Sequence, residues 1–437
     1  MVSYLEALDE ILANTHALDA EEKPVRQSIG QVLAEDIFSD YNLPPFNSAG
    51  PDGYAVRAAD IQTANNDNPA MLRITETVRA GHLPQNAVTP GSAIRIMTGA
   101  VLPEGADCVV RFEDTDEPPD KNGPNKNDPT AVKIYVAVPP GGNINRAGNI
   151  IAQGTLVLPC GREIGPAQVS VLTAIGRTVV RVTRRPTVSV LSTGDELVSL
   201  GEPLPLGKVY DCNGPALATL VEHYGGKSQL LGIASDDETA LSLKIQEGIE
   251  AADALILSGG VSRGDYDLVR LTLAKLGELK FSRVKMVPGA SVSFGTLTRT
   301  SPTGKTVSVP LFALAGPPAG CLINFETLVR PAMLKMLGHT SLGHPSVDAV
   351  IQEGLPPKKV MFARWTELKR VGKDYHASLS GISLATANAL TLIPEEHALM
   401  PGDTISVLPL DWCRNSYIPN NAQPGRSVKN SAYKNIY

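Results

Sequence analysis

The chain has 437 residues, 43% apolar and 19% charged, which at roughly 100 to 200 residues per domain predicts two to four domains with ample apolar surface to bury. Lys and Arg total 39 against 45 Asp and Glu, a net charge of −6, so there is no basic surplus of the kind that holds a phosphodiester backbone, and nucleic acid is excluded as a first partner. Gly (39) and Pro (34) together exceed the usual share of roughly 12%, which predicts many turns and short strands.

Ser3 and Glu6 have the spacing of a capping box, and Leu5, Leu8, Ile11 and Leu12 share a helical face, so a short amphipathic helix is expected first. This acidic start is unlike a secretory signal. Over residues 43–142 turn formers recur around short β-rich runs such as 108–112, which predicts a small all-β domain. Within it, residues 117–130 have almost nothing to bury and are expected to form an exposed hairpin tip or loop. Around Pro186 the pattern changes: strands over 187–191, 229–233 and 254–257 alternate with helices over 215–224 and after Ser235, as in an α/β domain with a mainly parallel sheet. Ser235 and Glu238 fit a second capping box, and Leu241, Ile245 and Ile249 form the face that packs on the sheet. A later helix carries Leu322, Phe325, Leu328, Val329, Ala332, Met333 and Met336 and ends at Gly338 as its C-cap. The longest uncharged apolar stretch, 309–325, is interrupted by Pro310, Gly316, Pro317, Pro318 and Gly320, so no membrane helix is expected and a cytoplasmic enzyme or binding protein is the first expectation. Residues 346–410 return to β character, with strands over 389–393 and 404–408, and a polar, turn-rich tail follows Trp412.

The five cysteines, at 108, 160, 212, 321 and 413, form no CxxC pair and read as buried free thiols. The seven histidines form neither HExxH nor a hydrolase triad. Chemistry is better placed on two loops that follow hydrophobic strands: Ser192, Thr193, Gly194, Asp195 and Glu196, and the run from Ser258 through Gly259, Gly260, Val261, Ser262 and Arg263 to Asp267. In open parallel sheets ligands bind at the carboxyl ends of strands, where glycines let backbone N–H groups approach a phosphate. Asp236 and Asp237 follow a third strand, so Asp195, Glu196, Asp236, Asp237 and Asp267 are expected to converge there, with Mg²⁺ between them and a phosphate. Alone, each loop reads equally well as a turn or a helix cap.

With residues 43–56 (LPPFNSAGPDGYAV), 94–110 (IRIMTGAVLPEGADCVV), 190–198 (VLSTGDELV), 209–213 (VYDCN) and 389–407, the two loops make the chain resemble the MoeA family, the molybdopterin molybdenumtransferases that include the E domain of gephyrin. The resemblance implies an α/β plus all-β, elongated multidomain subunit that forms a homodimer. Its parts are a discontinuous linker and dimerisation domain (1–45 and 144–183), a β domain (46–143), a molybdopterin-binding α/β domain (184–338), a C-terminal β domain (339–413) and a tail (414–437). The implied activity is insertion of molybdate into adenylylated molybdopterin with release of AMP, assisted by Mg²⁺, in a cleft between the α/β domain and the partner's β domain. By motif match, Asp52, Thr98, Glu196 and Asp267 are the implied catalytic residues, and Glu196, Asp236, Asp237 and Asp267 the implied Mg²⁺ ligands. Ser192, Thr193, Gly194, Asp195, Ser258, Gly259, Gly260, Val261, Ser262 and Arg263 are the implied ligand-binding residues. Molybdopterin adenylyltransferase and molybdoenzyme maturation factors are the implied partners.

The chain departs from the family pattern at several of these places. The family's DNSAMDGYA is Asn47 to Ala55 here, which keeps Asp52 and remodels the loop before it; Asn149 and Ile150 replace a carboxylate pair; and the KPGKP turn becomes Val287, Pro288, Gly289, Ala290 and Ser291, without either lysine. At about 1.5 to 3 kcal/mol per charge-assisted hydrogen bond, two missing lysines weaken anion binding by about two to four powers of ten unless cations such as Arg146 or Arg263 compensate. The alternative expectations are therefore a degenerate paralogue that binds molybdopterin or a partner without turnover, and a different nucleotide-processing enzyme.

Overall fold

Ser3 Oγ accepts the Glu6 N–H at 3.2 Å and Glu6 Oε2 accepts the Ser3 N–H at 2.7 Å, so helix α1 (Tyr4–Ala13) begins in the expected capping box. The computed structural model describes residues 1–116, 130–260, 268–300 and 304–410. Tyr4, Ala7, Leu8 and Ile11 are buried, and α1 packs on the helical run at 325–336. Residues 4–13, grouped by sequence with the discontinuous first domain, therefore share a core with the α/β layer. The rest of that first region is stitched from two distant segments: Ala20–Pro24 pairs antiparallel with Val179–Thr183, and Ile37–Phe38 with Leu156–Leu158. Helix α2 (Pro166–Ala174) adds Leu172 to a core with Val25, Leu33, Ile37, Ile164 and Val182.

A five-stranded sheet follows, in the order Cys108–Arg111, Gly53–Val56, Ser92–Ile96, Ala70–Val78, Ala131–Ile134. A Cβ on Gly53 would lie 1.9 Å from the Val110 carbonyl oxygen, so only glycine lets this strand approach its neighbour. The segment 117–129, most of the expected exposed loop, lies outside the described residues.

The α/β domain is built on strands β1 (Thr187–Thr193), β2 (Lys227–Ala234), β3 (Ala254–Ser258), β4 (Gly277–Phe281), β5 (Ser293–Thr300) and β6 (Thr306–Leu314), in the spatial order β2-β1-β3-β6-β5-β4. The first four in that order are parallel, and β5 and β4 continue the sheet antiparallel. Helix α3 (Asn213–His223) follows β1, α4 (Glu238–Ile249) follows β2, and α5 (Leu268–Leu276) follows β3. The expected Ser235 cap is corrected by the structure: Asp237 is the N-cap of α4, its carboxylate accepting the Ala240 N–H at 2.8 Å, because Asp237 keeps the extended backbone a cap requires.

The helix expected to run unbroken to Gly338 is divided into α6 (Pro318–Asn324), a π-helical turn at Phe325–Val329, and α7 (Arg330–Met336). Pro331 explains the interruption, since its ring crowds the Thr327 carbonyl and it has no N–H to donate there. The freed carbonyl accepts the Tyr4 hydroxyl at 3.4 Å, tying α1 to the bulge. Beside it the fully buried Glu326 carboxylate accepts the Tyr224 hydroxyl at 2.9 Å and lies 3.1 Å from His344 Nε2. Gly338 has the left-handed conformation (φ +86°) expected just past a helix end.

The last region is a closed ring of strands: Met361–Val371 pairs with both Asp374–Ser378 and Ala389–Ile393, and Val347–Ile351 and Thr404–Pro409 complete the circuit. Met286–Val287, from the α/β region, adds in parallel to Met361–Phe362. No helix among the described residues is long and apolar enough to cross a membrane. Of the cysteines, Cys108 and Cys321 are buried, and burial pushes their thiols up to about 12; Cys160 and Cys212 are exposed, contrary to expectation, because they sit on a turn and at a helix start, and Cys413 lies outside the described residues.

Candidate functional site

From β1 the chain moves to β2 on one side and later to β3 on the other, so the strand order reverses between β1 and β3. The crevice outside their carboxyl ends is where an open parallel sheet receives a ligand. Ser192 and Thr193 end β1, and Ser258 ends β3. Gly259 has φ +92°, and a Cβ there would lie 2.2 Å from the Thr193 carbonyl oxygen; only glycine brings this turn against β1. Gly259 N–H donates to the Leu314 carbonyl at 3.3 Å at the end of β6, and Gly260 (φ +68°) continues the turn.

The first turn of α3 closes the crevice from behind. Gly214 N–H donates to Asp211 Oδ1 at 3.0 Å, and a Cβ on Gly214 would lie 3.0 Å from Ser192 Oγ. That hydroxyl is buried and has no hydrogen-bond partner; in the first turn of α3 the Gly214 N–H is held by Asp211, Pro215 has none, and the Ala216 N–H donates to the Cys212 carbonyl at 3.4 Å. An unpaired buried hydroxyl beside two glycine turns suits an anionic oxygen.

The acids on the loops are arranged unequally. Thr193 Oγ1 donates to Asp236 Oδ1 at 3.2 Å, Asp195 N–H to Asp236 Oδ2 at 3.4 Å, and Asp236 N–H to Asp195 Oδ1 at 3.1 Å, which binds the β1 and β2 loops together. The Glu196 carboxylate folds back over Gly194, where a Cβ would meet it at 2.5 Å. Asp237 is turned to capping α4. Val261, Ser262, Arg263 and Asp267 lie outside the described residues. Among the described residues no three His, Cys, Asp or Glu side chains form a metal cage. The all-oxygen set of Asp195, Glu196 and Asp236 nevertheless has the donor chemistry of Mg²⁺, which is commonly held by one or two carboxylates with substrate phosphates and water supplying the rest.

Asp52 and Thr98, far apart in sequence, meet in the β domain. Asp52 Oδ1 accepts the Thr98 N–H at 2.7 Å and its hydroxyl at 2.8 Å, and these two bonds hold the carboxylate below its usual range against the opposing effect of burial, with a lesser contribution from Arg95. The remodelled loops lie side by side: Ser48 pairs with Asn145, and Ala147 N–H donates to Asn47 Oδ1 at 2.9 Å. Arg146 is turned toward Gly141, its Nη2 2.8 Å from where a Cβ would be. The turn lacking lysines is fastened by Asn324, whose Nδ2 donates to the Gly289 carbonyl at 3.0 Å, and its flanking Val287 and Ala290 carry no charge.

Two residues with no role assigned from sequence emerge at the crevice. Lys208 Nζ donates to the Asp195 carbonyl, placing a cation on the loop after β1. Asn213 bridges Ser258 and Gly316. Both lie in or beside the 209–213 motif, which was the available signal, but the sequence did not indicate which loops they would reach.

Comparison with known proteins agrees with this arrangement. Residues 2–176 match the family model for the MoeA N-terminal region (domain I and II), and residues 189–335 that for a probable molybdopterin binding domain. A molybdopterin molybdenumtransferase from Nostoc sp. is 34% identical over 398 residues, covering 87% of this chain and 86% of the relative. One from Staphylococcus epidermidis is 30% identical over 404 residues, covering 90% and 91%. A crystal structure of a molybdopterin biosynthesis MoeA protein from Pyrococcus horikoshii superposes with a TM-score of 0.78 at 31% identity, covering 94% of this chain and 99% of that one. The strand-end crevice, the paired Asp52 and Thr98, and near full-length similarity lead to one conclusion: this chain belongs to the MoeA family of molybdopterin molybdenumtransferases.

Proposed function

We propose that the chain binds adenylylated molybdopterin in the crevice between β1 and β3 and inserts molybdate with release of AMP. The observation that carries this reading is the buried, unpartnered Ser192 hydroxyl, flanked by the glycine turns at Gly194 and Gly259. Such a cradle fits a phosphate oxygen and would fit an apolar ligand badly. The relatives' shared name, molybdopterin molybdenumtransferase, favours turnover over binding alone.

In this reading Ser192 and the turn at Gly260 hold the phosphoanhydride, the Gly194 and Gly259 N–H groups being given to the Ala234 and Leu314 carbonyls, and the Thr193, Asp195 and Asp236 contacts keep the two loops in register around it. Glu196 and Asp236, with Asp267, would hold Mg²⁺, which when bound neutralises charge on the phosphates. Asp237 is left to its cap. Lys208 supplies a positive charge at the loop after β1, a different place from the turn at 287–291 that lacks the KPGKP lysines. Asp52 and Thr98 flank two strands of a sheet that shares no strand with the α/β sheet; we place them opposite the crevice of a partner subunit in a homodimer. Molybdopterin adenylyltransferase is the proposed supplier of substrate, molybdoenzyme maturation factors the recipients, and the cytoplasm the compartment.

The test is AMP release from adenylylated molybdopterin by the purified protein. Release is expected to depend on molybdate and to stop when EDTA removes Mg²⁺. Ligand binding with no release under any metal condition would refute the transferase reading.

A further inference from the structure

Asn213 opens α3 and is only 8% exposed. Its Nδ2 donates both hydrogens, to Ser258 Oγ at 2.7 Å and to the Gly316 carbonyl at 2.8 Å. One partner is the last residue of β3 and the other begins the turn after β6. The adjacent Gly259 is itself tied to the end of β6 through Leu314, and its Cα lies 3.9 Å from where a Cβ on Gly316 would be. Ser258 Oγ is also 3.8 Å from Cys321 Sγ on α6. A single amide nitrogen thus joins three chain segments around the crevice: the start of α3, the glycine turn and the turn before α6. The chemistry is specific to an amide, since serine offers one hydrogen and an ionised aspartate none.

We propose that Asn213 is a positioning residue for the anionic end of the substrate: by fixing α3, the glycine turn after β3 and the turn after β6 at one spacing, it sets the width of the phosphate cradle. The proposal rests on the reading of the crevice as the site for adenylylated molybdopterin. Asn213→Ala leaves Ser258 Oγ and the Gly316 carbonyl without their donor. Asn213→Asp keeps the volume and accepts from Ser258, but sets a carboxylate against the Gly316 carbonyl.

The experiment measures Kd for adenylylated molybdopterin, KM and kcat for AMP release, and the thermal midpoint, on the full chain and on N213A, N213D and S258A. For N213A, Kd and KM are expected to rise about tenfold, the scale of two lost hydrogen bonds, with a smaller fall in kcat; N213D and S258A are expected to show smaller rises. A lowered thermal midpoint with Kd and KM unchanged would mean a merely structural amide and would overturn the proposal. Should N213A fail to fold, N213D and S258A decide the matter, and wild-type Kd values in both would overturn it equally. If the wild-type chain neither binds nor turns over the substrate, the underlying reading fails and this inference with it; if wild type works and the variants match it, only the inference fails.

Discussion

Asp52 shows how much a single carboxylate owes to partners distant in sequence. Thr98 gives it two hydrogen bonds through one oxygen, and the carboxylate sits below its usual range because those bonds favour the ionised form. The sign of the linkage follows: with the folded-state pKa depressed, the stability Asp52 contributes is present above its unfolded value, about 4, and is lost as pH falls through the folded value. Thr98→Val removes the hydroxyl bond, so the Asp52 titration followed by carboxyl NMR is expected to move up toward the ordinary range, and acid unfolding to begin at a higher pH. An unmoved titration would show that the backbone bond alone suffices. Both residues were picked out by their motifs, but their contact was not legible because 45 residues and three strands intervene.

At the scale of elements, Asp237 separates a structural from a chemical role. As the N-cap of α4 it satisfies a backbone N–H that the helix leaves unpaired. Asp237→Ala is expected to cost about 1 kcal/mol in urea unfolding and Asp237→Asn only a few tenths, because asparagine caps as well as aspartate. Asp237→Asn should also retain Mg²⁺-dependent AMP release; loss of that dependence at unchanged stability would make Asp237 a metal ligand after all. Ser235, Asp236 and Asp237 are all good capping residues in sequence, and the choice among them was made by where β2 ends and by the pairing of Asp236 with the β1 loop. The π turn at Phe325–Val329 teaches a similar lesson. Pro331 was visible, but whether it ends, kinks or widens a helix depends on a partner for the freed carbonyl, and Tyr4 of α1 provides it.

For the whole molecule, the separation of Asp52 and Thr98 from the α/β sheet makes the proposed dimer testable. Asp52→Asn and Glu196→Gln are each expected to abolish AMP release. When the two proteins are mixed under conditions of subunit exchange, a site shared between subunits leaves one intact site in each mixed dimer. Activity should then return to about a quarter of wild type by random assortment in a two-fold assembly. A site built within one subunit gives no recovery, since every subunit carries a lesion. Native mass spectrometry of the same mixture, with one variant labelled with ¹⁵N, checks that exchange has occurred.

The sequence by itself determined the local elements and the kind of chemistry. The capping box at Ser3 and Glu6, the strand at 389–393 and the glycine loops after β1 and β3 were legible because turn residues and hydrophobic periodicity act over a few positions. Only the tertiary structure decided which strand ends meet, that α1 packs on the π turn, that the Ser192 hydroxyl is left buried and unpaired beside α3, and that Asn213 reaches two other loops. These facts depend on the order of strands in the sheet and on side chains meeting across tens or hundreds of residues, where no short-range pattern in the chain carries the information.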